Sequence, residues 1–153
     1  MTNLNLPEYK FRITKREGKE YIFDIIRKKF VSLTPEEWVR QNFLRYMIEE
    51  LHFPVSLVSM ESHMKWNQMQ KRTDILFHGA AGRPVLLVEC KAPKVKITQD
   101  TFDQAAVYNL KLKVEYLVVT NGLSHYCCQI DHENKKFCFL KSIPEYTEIK
   151  EKI

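Results

Sequence analysis

From Tyr9 to Asp24 apolar and polar residues alternate on both sides of Gly18, a pattern that predicts a β-hairpin. Arg27-Lys28-Lys29 leads out of it into Thr34-Pro35-Glu36-Glu37. There Thr34 can cap a helix, Pro35 suits its first position and Glu37 closes a capping box. Trp38, Gln41, Phe43, Leu44, Met47, Ile48 and Leu51 continue at helical spacing, and Phe53-Pro54 ends the helix by about residue 52. Residues 55–61 then read as a strand, the polar run 65–71 as a connection, and 72–77 as a second strand.

After a turn over 78–84, Val85-Leu86-Leu87-Val88-Glu89-Cys90-Lys91 is apolar enough to be a strand buried on both faces, and it ends in charge. Residues 98–111 predict a second helix with Phe102, Ala105, Ala106 and Leu110 inward, and 116–120 another buried strand. A hairpin near 124–130 and 136–140 closes the pattern, leaving 144–153 as a charged tail. The order implies an α/β fold around one mixed sheet, flanked by helices, with an α-β-β-β-α-β core and an added hairpin at each end. We read one domain over 1–143, of which 1–30 is the N-terminal hairpin extension.

Composition narrows the class. The 153 residues are 44% hydrophobic and 28% charged, which excludes collagen-like, low-complexity and disordered chains. No uncharged apolar run reaches the roughly 18 residues of a membrane span, and the first residues do not resemble a signal peptide, so the expected location is cytoplasmic, with no membrane partner. The net charge of +5 is concentrated at the front: residues 1–30 hold eight basic and four acidic side chains. Lys10, Arg12, Lys15, Arg16 and Lys19 could track a phosphate backbone, although charge alone favours a solvated face and the spacing does not put them on one shared face.

Cys90, Cys127, Cys128 and Cys138 form no CxxC pair. His125, Cys127, His132 and Cys138 could be assembled into a zinc site, but a strand over 124–130 puts His125 and Cys127 on one face and Cys128 on the other, which is ordinary alternation and argues against zinc.

Candidate chemistry lies where buried strands end in charge, because an uncompensated carboxylate leaving an apolar sheet is costly. Glu89 and Lys91, two apart, project from one face, while Cys90 points to the other and offers its carbonyl. If 72–77 and 85–91 pair as an antiparallel hairpin, Asp74 approaches Glu89, and two such carboxylates repel unless a cation lies between them. Hard oxygen donors of this kind suit Mg2+ or Mn2+.

With these residues in place the chain resembles the PD-(D/E)xK nuclease superfamily, and within it the N-terminal domain of type I restriction enzyme R subunits. The likeness is carried by Thr34 to Gln41, Arg72-Thr73-Asp74-Ile75, Leu87-Val88-Glu89-Cys90-Lys91-Ala92-Pro93, Phe102 to Asn109 and Leu117 to Gly122, in the family's order. Thr73 stands where the superfamily name has proline, and the helicase-like motor that follows in type I subunits is not part of this sequence.

The resemblance implies a restriction-endonuclease-like fold and Mg2+-dependent (or Mn2+-dependent) DNA cleavage without base specificity of its own, leaving 5′-phosphate and 3′-hydroxyl ends. It implies Asp74, Glu89 and the Cys90 backbone carbonyl as metal ligands, and Lys91 as the residue that orients the attacking water. Glu37 would complete the catalytic set, although a capping box alone accounts for it. Gln104 and Tyr108, at i and i+4, would contact the substrate backbone or support the lysine. Arg40 would contact phosphate or pair with Glu36 or Glu37. The implied partners are DNA and a separate motor or other restriction-modification subunits; pairing of two copies into a homodimer stays open. Two other readings share the fold: a non-catalytic DNA-binding or assembly module, and a structure-specific repair or recombination nuclease.

Overall fold

A computed structural model describes residues 1–60, 63–66, 69–72, 74–79 and 81–150, with 63–66, 69–72 and 107–111 described as backbone alone. β1 (Ile13–Arg16) and β2 (Lys19–Asp24) pair antiparallel, Arg16 facing Lys19 and Ile13 facing Ile22. The two-residue turn holds Glu17 and Gly18 at φ 51° and 77°, the doubly positive geometry that matches strand twist and that Gly18 adopts without a Cβ penalty.

The extension is larger than the predicted hairpin, because β3 (Lys29–Ser32) adds a third strand against β2. Its turn carries no glycine, proline or asparagine: Asp24 makes it by accepting the Ile26 and Arg27 amides at 2.7 and 2.9 Å.

α1 (Pro35–Glu49) starts as predicted, with Thr34 Oγ1 accepting the Glu37 amide at 3.0 Å. β4 (Val58–Met60) follows a short 3-10 turn, and β5 (His63–Trp66) and β6 (Met69–Arg72) form a two-stranded ribbon across the stretch expected to be a connection. Then come β7 (Ile75–His78), β8 (Pro84–Cys90), α2 (Gln99–Leu112), β9 (Tyr116–Thr120), β10 (His125–Asp131) and β11 (Lys136–Leu140). The main sheet has the order β11-β10-β9-β8-β7-β4. Its β8–β9 pair is parallel, and α2 is the crossover that such a pair requires.

Strand alternation divides the core. Leu86, Val88 and Cys90 join Val118 and Cys127 beneath Val39, Phe43 and Met47 of α1. Leu76, Leu87, Leu117, Val119 and Cys128 pack with Ala105 and Phe102 of α2 on the other face. Cys127 and Cys128 thus enter opposite cores.

The expected charged tail is partly folded: α3 (Tyr146–Ile149) buries Ile149 in the α1-side core, and the Tyr146 amide donates to Leu51 O at 2.9 Å. Two apolar anchors in the last eight residues, Tyr146 and Ile149, escape a reading based on charge. Among the described residues no helix is long and apolar enough to cross a membrane.

Candidate active site

β7 and β8 run antiparallel with Ile75 opposite Val88 and Leu76 opposite Leu87, so Asp74, one residue before β7, stands across from Glu89. Asp74 Oδ2 accepts the Cys90 amide at 2.7 Å. In an extended residue the N–H and C=O share one edge, so the Cys90 carbonyl also turns toward Asp74. Alternation places Glu89 on the α2 side with Leu87. Lys91 is anchored by its amide to Thr120 O at 2.8 Å, and its Nζ lies 3.4 Å from Glu89 Oε1.

Glu89 is buried and, among the described residues, its Oε2 has no hydrogen-bond partner. Burial first, and then the charge of Asp74, push its carboxyl up to about 7, against the pull of Lys91. The Asp74 carboxyl is likewise raised by burial, with Arg40 and the Cys90 amide opposing.

Arg40 of α1, itself buried, holds the cluster from the other side. Its Nη2 donates to Asp74 Oδ1 at 2.6 Å and to Glu36 Oε2 at 2.9 Å, and its Nη1 to Glu37 Oε1 at 2.7 Å. Its guanidinium is therefore engaged by three carboxylates, the pairing alternative that the sequence left open beside phosphate contact.

Glu37 is fully engaged too. Its Oε2 accepts from Arg27 Nη2 at 3.0 Å and from Gln41 Nε2 at 2.9 Å. Of the two α1 carboxylates on Arg40, Glu36 keeps solvent exposure, and it adds to the upward shifts of both Asp74 and Glu89.

Asp24, Arg27 and Gln41 are the site neighbours that sequence reasoning missed. In the sequence Gln41 reads as one more position of an apolar stripe, Asp24 as the end of the alternating hairpin stretch and Arg27 as part of the basic run that leads to α1. Gln104 is exposed on α2, and among the described residues it bonds to none of this cluster. The Tyr108 side chain and Thr73 lie outside the described residues. In the front basic cluster, Arg12 stacks its guanidinium over Phe23, 4.6 Å from the ring centroid.

Among the described residues, Arg27 and Arg40 join Asp24, Glu36, Glu37 and Asp74 in one network of ion pairs, and Lys91 pairs with Glu89 beside it, so carboxyl groups outnumber cations. No group of three or more His, Cys, Asp or Glu side chains there forms a protein-only metal cage. Mg2+ does not need one, since it commonly takes one or two carboxylates and completes its shell with water and substrate phosphate. The Glu89 oxygen without a partner among the described residues, and the adjoining Asp74 carboxylate, fit a hard divalent cation.

A mixed sheet with helices on opposite faces, and an Asp across from Glu-x-Lys at the ends of adjoining strands, defines a restriction-endonuclease-like α/β domain. The chain belongs to the type I restriction enzyme R protein N-terminal family, whose model matches residues 35–144. Among solved structures it resembles a fragment described as an HsdR subunit of a type I restriction enzyme from Vibrio vulnificus YJ016, with 18% identity and a TM-score of 0.54. That match covers 76% of this chain and 24% of the other, so this chain spans about a quarter of that structure's length. No curated protein gives a significant match.

Proposed function

We propose that this chain is a Mg2+-dependent (or Mn2+-dependent) deoxyribonuclease domain of PD-(D/E)xK type, hydrolysing DNA phosphodiester bonds without base specificity of its own. One observation carries the proposal: a buried Glu89 oxygen beside Asp74 that has no partner among the described residues, with Lys91 3.4 Å from the same carboxylate. Asp74 and Glu89, with the Cys90 carbonyl, would hold the cation. When bound, the ion acts as Lewis acid and lowers the pKa of water, which explains how the site works without a histidine base.

The remaining roles belong to side chains. Lys91, tethered at its amide, orients the attacking water and offsets charge developing on the phosphate oxygens. Arg40 fixes the Asp74 carboxylate, and Glu37 acts by holding Arg40 in place. Gln104 and Tyr108 of α2 are assigned to the substrate backbone, on the face from which Glu89 projects. In this reading the domain acts on DNA delivered by a motor or by other restriction-modification subunits.

The reading is tested by incubating the protein with supercoiled plasmid, linear duplex, single-stranded DNA and RNA in Mg2+, Mn2+ or EDTA. Metal-dependent cutting of DNA ending in 5′-phosphates supports it. Cutting of RNA alone moves the substrate class, and DNA binding without cutting or Mn2+ uptake favours the assembly module.

A further inference from the structure

The N-terminal sheet reaches the Asp74 carboxylate through a continuous line of buried side chains. Asp24, at the end of β2, is fully buried and accepts from Arg27 Nε and, at 3.0 Å, from Gln41 Nε2. Both N–H groups of the Gln41 amide are used, one on Asp24 and one on Glu37. Arg27 spans the same two carboxylates, with Nε on Asp24 and Nη2 on Glu37 Oε2. Glu37 Oε1 then meets Arg40 Nη1, and Arg40 Nη2 meets Asp74 Oδ1. Residues 1–34 precede the stretch matched to the R-protein family, so that match gives Asp24 and Arg27 no role.

We propose that Asp24 and Arg27 are positioning residues for Asp74, acting through Glu37 and Arg40, so that the N-terminal sheet is a working part of the site. Glu37 has two cationic partners, Arg27 and Arg40. With Arg27 neutralised, Arg40 is the one cation left to Glu37 among these residues, and the guanidinium is pulled toward Glu37 and away from Asp74 Oδ1. The Asp74 carboxylate then loses the partner that fixes one of its oxygens while the other receives the Cys90 amide. Pinning the sheet to α1 requires only Asp24, Arg27 and Gln41; it does not require Arg40 to touch Glu37 and Asp74 at once, as it does.

The consequence for metal binding rests on the proposed function, whereas the consequence for Arg40 and Asp74 does not. The test therefore uses two readouts on the full chain, for wild type, Arg27→Gln, Arg27→Lys, Asp24→Asn and, as a distant control, Arg45→Gln. Nitrogen-15 NMR follows hydrogen exchange at Arg40 Nε–H and the amide proton shift of Cys90, with the β9 and β10 amides as internal reference. Calorimetry follows Mn2+ uptake.

Arg27→Gln is expected to speed Arg40 Nε–H exchange several-fold, move the Cys90 amide and leave the reference amides in place. It should also weaken Mn2+ binding by roughly tenfold or more, the usual effect of losing a group that orients a metal ligand. Arg27→Lys should fall between Arg27→Gln and wild type. Folded Arg27→Gln with unchanged Arg40 and Cys90 signals overturns the proposal. Should that variant fail to fold, unchanged signals in both Arg27→Lys and Asp24→Asn overturn it equally. A wild-type protein that takes up no Mn2+ refutes the metal-dependent function, while the NMR signals still decide the positioning role.

Discussion

Asp74 and Cys90 are joined across the end of the sheet by a 2.7 Å bond from the Cys90 amide to the Asp74 carboxylate, which also receives Arg40 at 2.6 Å. The bond ties the residue before β7 to the end of β8. Asp74→Ala removes the acceptor for both donors at once. It is expected to cost about 1–3 kcal/mol, the range for leaving buried polar partners unsatisfied, and to abolish Mn2+ binding. Urea unfolding and calorimetry on the same sample measure both; an Asp74→Ala protein that binds Mn2+ like wild type contradicts the assignment.

Glu89 makes stability depend on pH in a direction that can be stated in advance. Its carboxyl titrates at about 7 in the folded protein against 4.5 ordinarily. The folded state therefore holds the proton more tightly than the unfolded chain between those values, and stability falls as pH rises through that window. Glu89→Gln, permanently neutral, is expected to lack this loss and to be more stable than wild type at pH 8.5 by about 1–3 kcal/mol in the absence of metal, with little difference at pH 4. Chemical denaturation at the two pH values decides it; a variant less stable than wild type at pH 8.5 refutes the burial argument.

The same shift links metal to protons. A divalent cation held as proposed would take Glu89 in its ionised form, so below pH 7 its binding should expel close to one proton. Apparent Mn2+ affinity should rise about tenfold per pH unit up to pH 7 and level off above it. Titrations in two buffers of different ionisation enthalpy count the proton, and an affinity flat from pH 5.5 to 7 places the ion elsewhere.

Gly122 tests the packing of the N-terminal segment. It sits at φ 86°, and a Cβ there would approach Leu4 Cδ2 to 2.7 Å and Val39 Cγ2 to 3.2 Å, while its carbonyl accepts the Asn5 amide at 2.8 Å. Gly122→Ala is expected to cost about 1–3 kcal/mol from backbone strain and this contact together. Adding Leu4→Ala should relieve the contact part but not the strain, which a four-way comparison of unfolding free energies separates.

What the sequence revealed and what it hid follow from range and environment. β8 and β9 were legible because strands buried on both faces become continuous apolar runs, as in Val85–Val88 and Leu117–Val119. The start of α1 was legible because Thr34, Pro35 and Glu37 act within one turn. β3 was hidden because its turn depends on the Asp24 side chain, and β5 and β6 because their sequence is polar.

Asp74, Glu89 and Lys91 could be brought together from the sequence because they sit on neighbouring strands. The line from Asp24 through Arg27 and Gln41 to Glu37 could not, since it joins groups up to 17 positions apart across two chain reversals. For Glu37 the capping geometry was legible from sequence, whereas its engagement by Arg27, Gln41 and Arg40 was not.

The most direct test of the central claim is cleavage of supercoiled plasmid in Mg2+ by wild type, Lys91→Ala and Asp74→Ala, with EDTA controls and with folding of each variant checked by circular dichroism. The account predicts nicking or linearisation by wild type that EDTA stops and that both folded variants lose. Cleavage that persists in EDTA, or in either variant, would contradict a metal site built on Asp74 and Glu89 and served by Lys91.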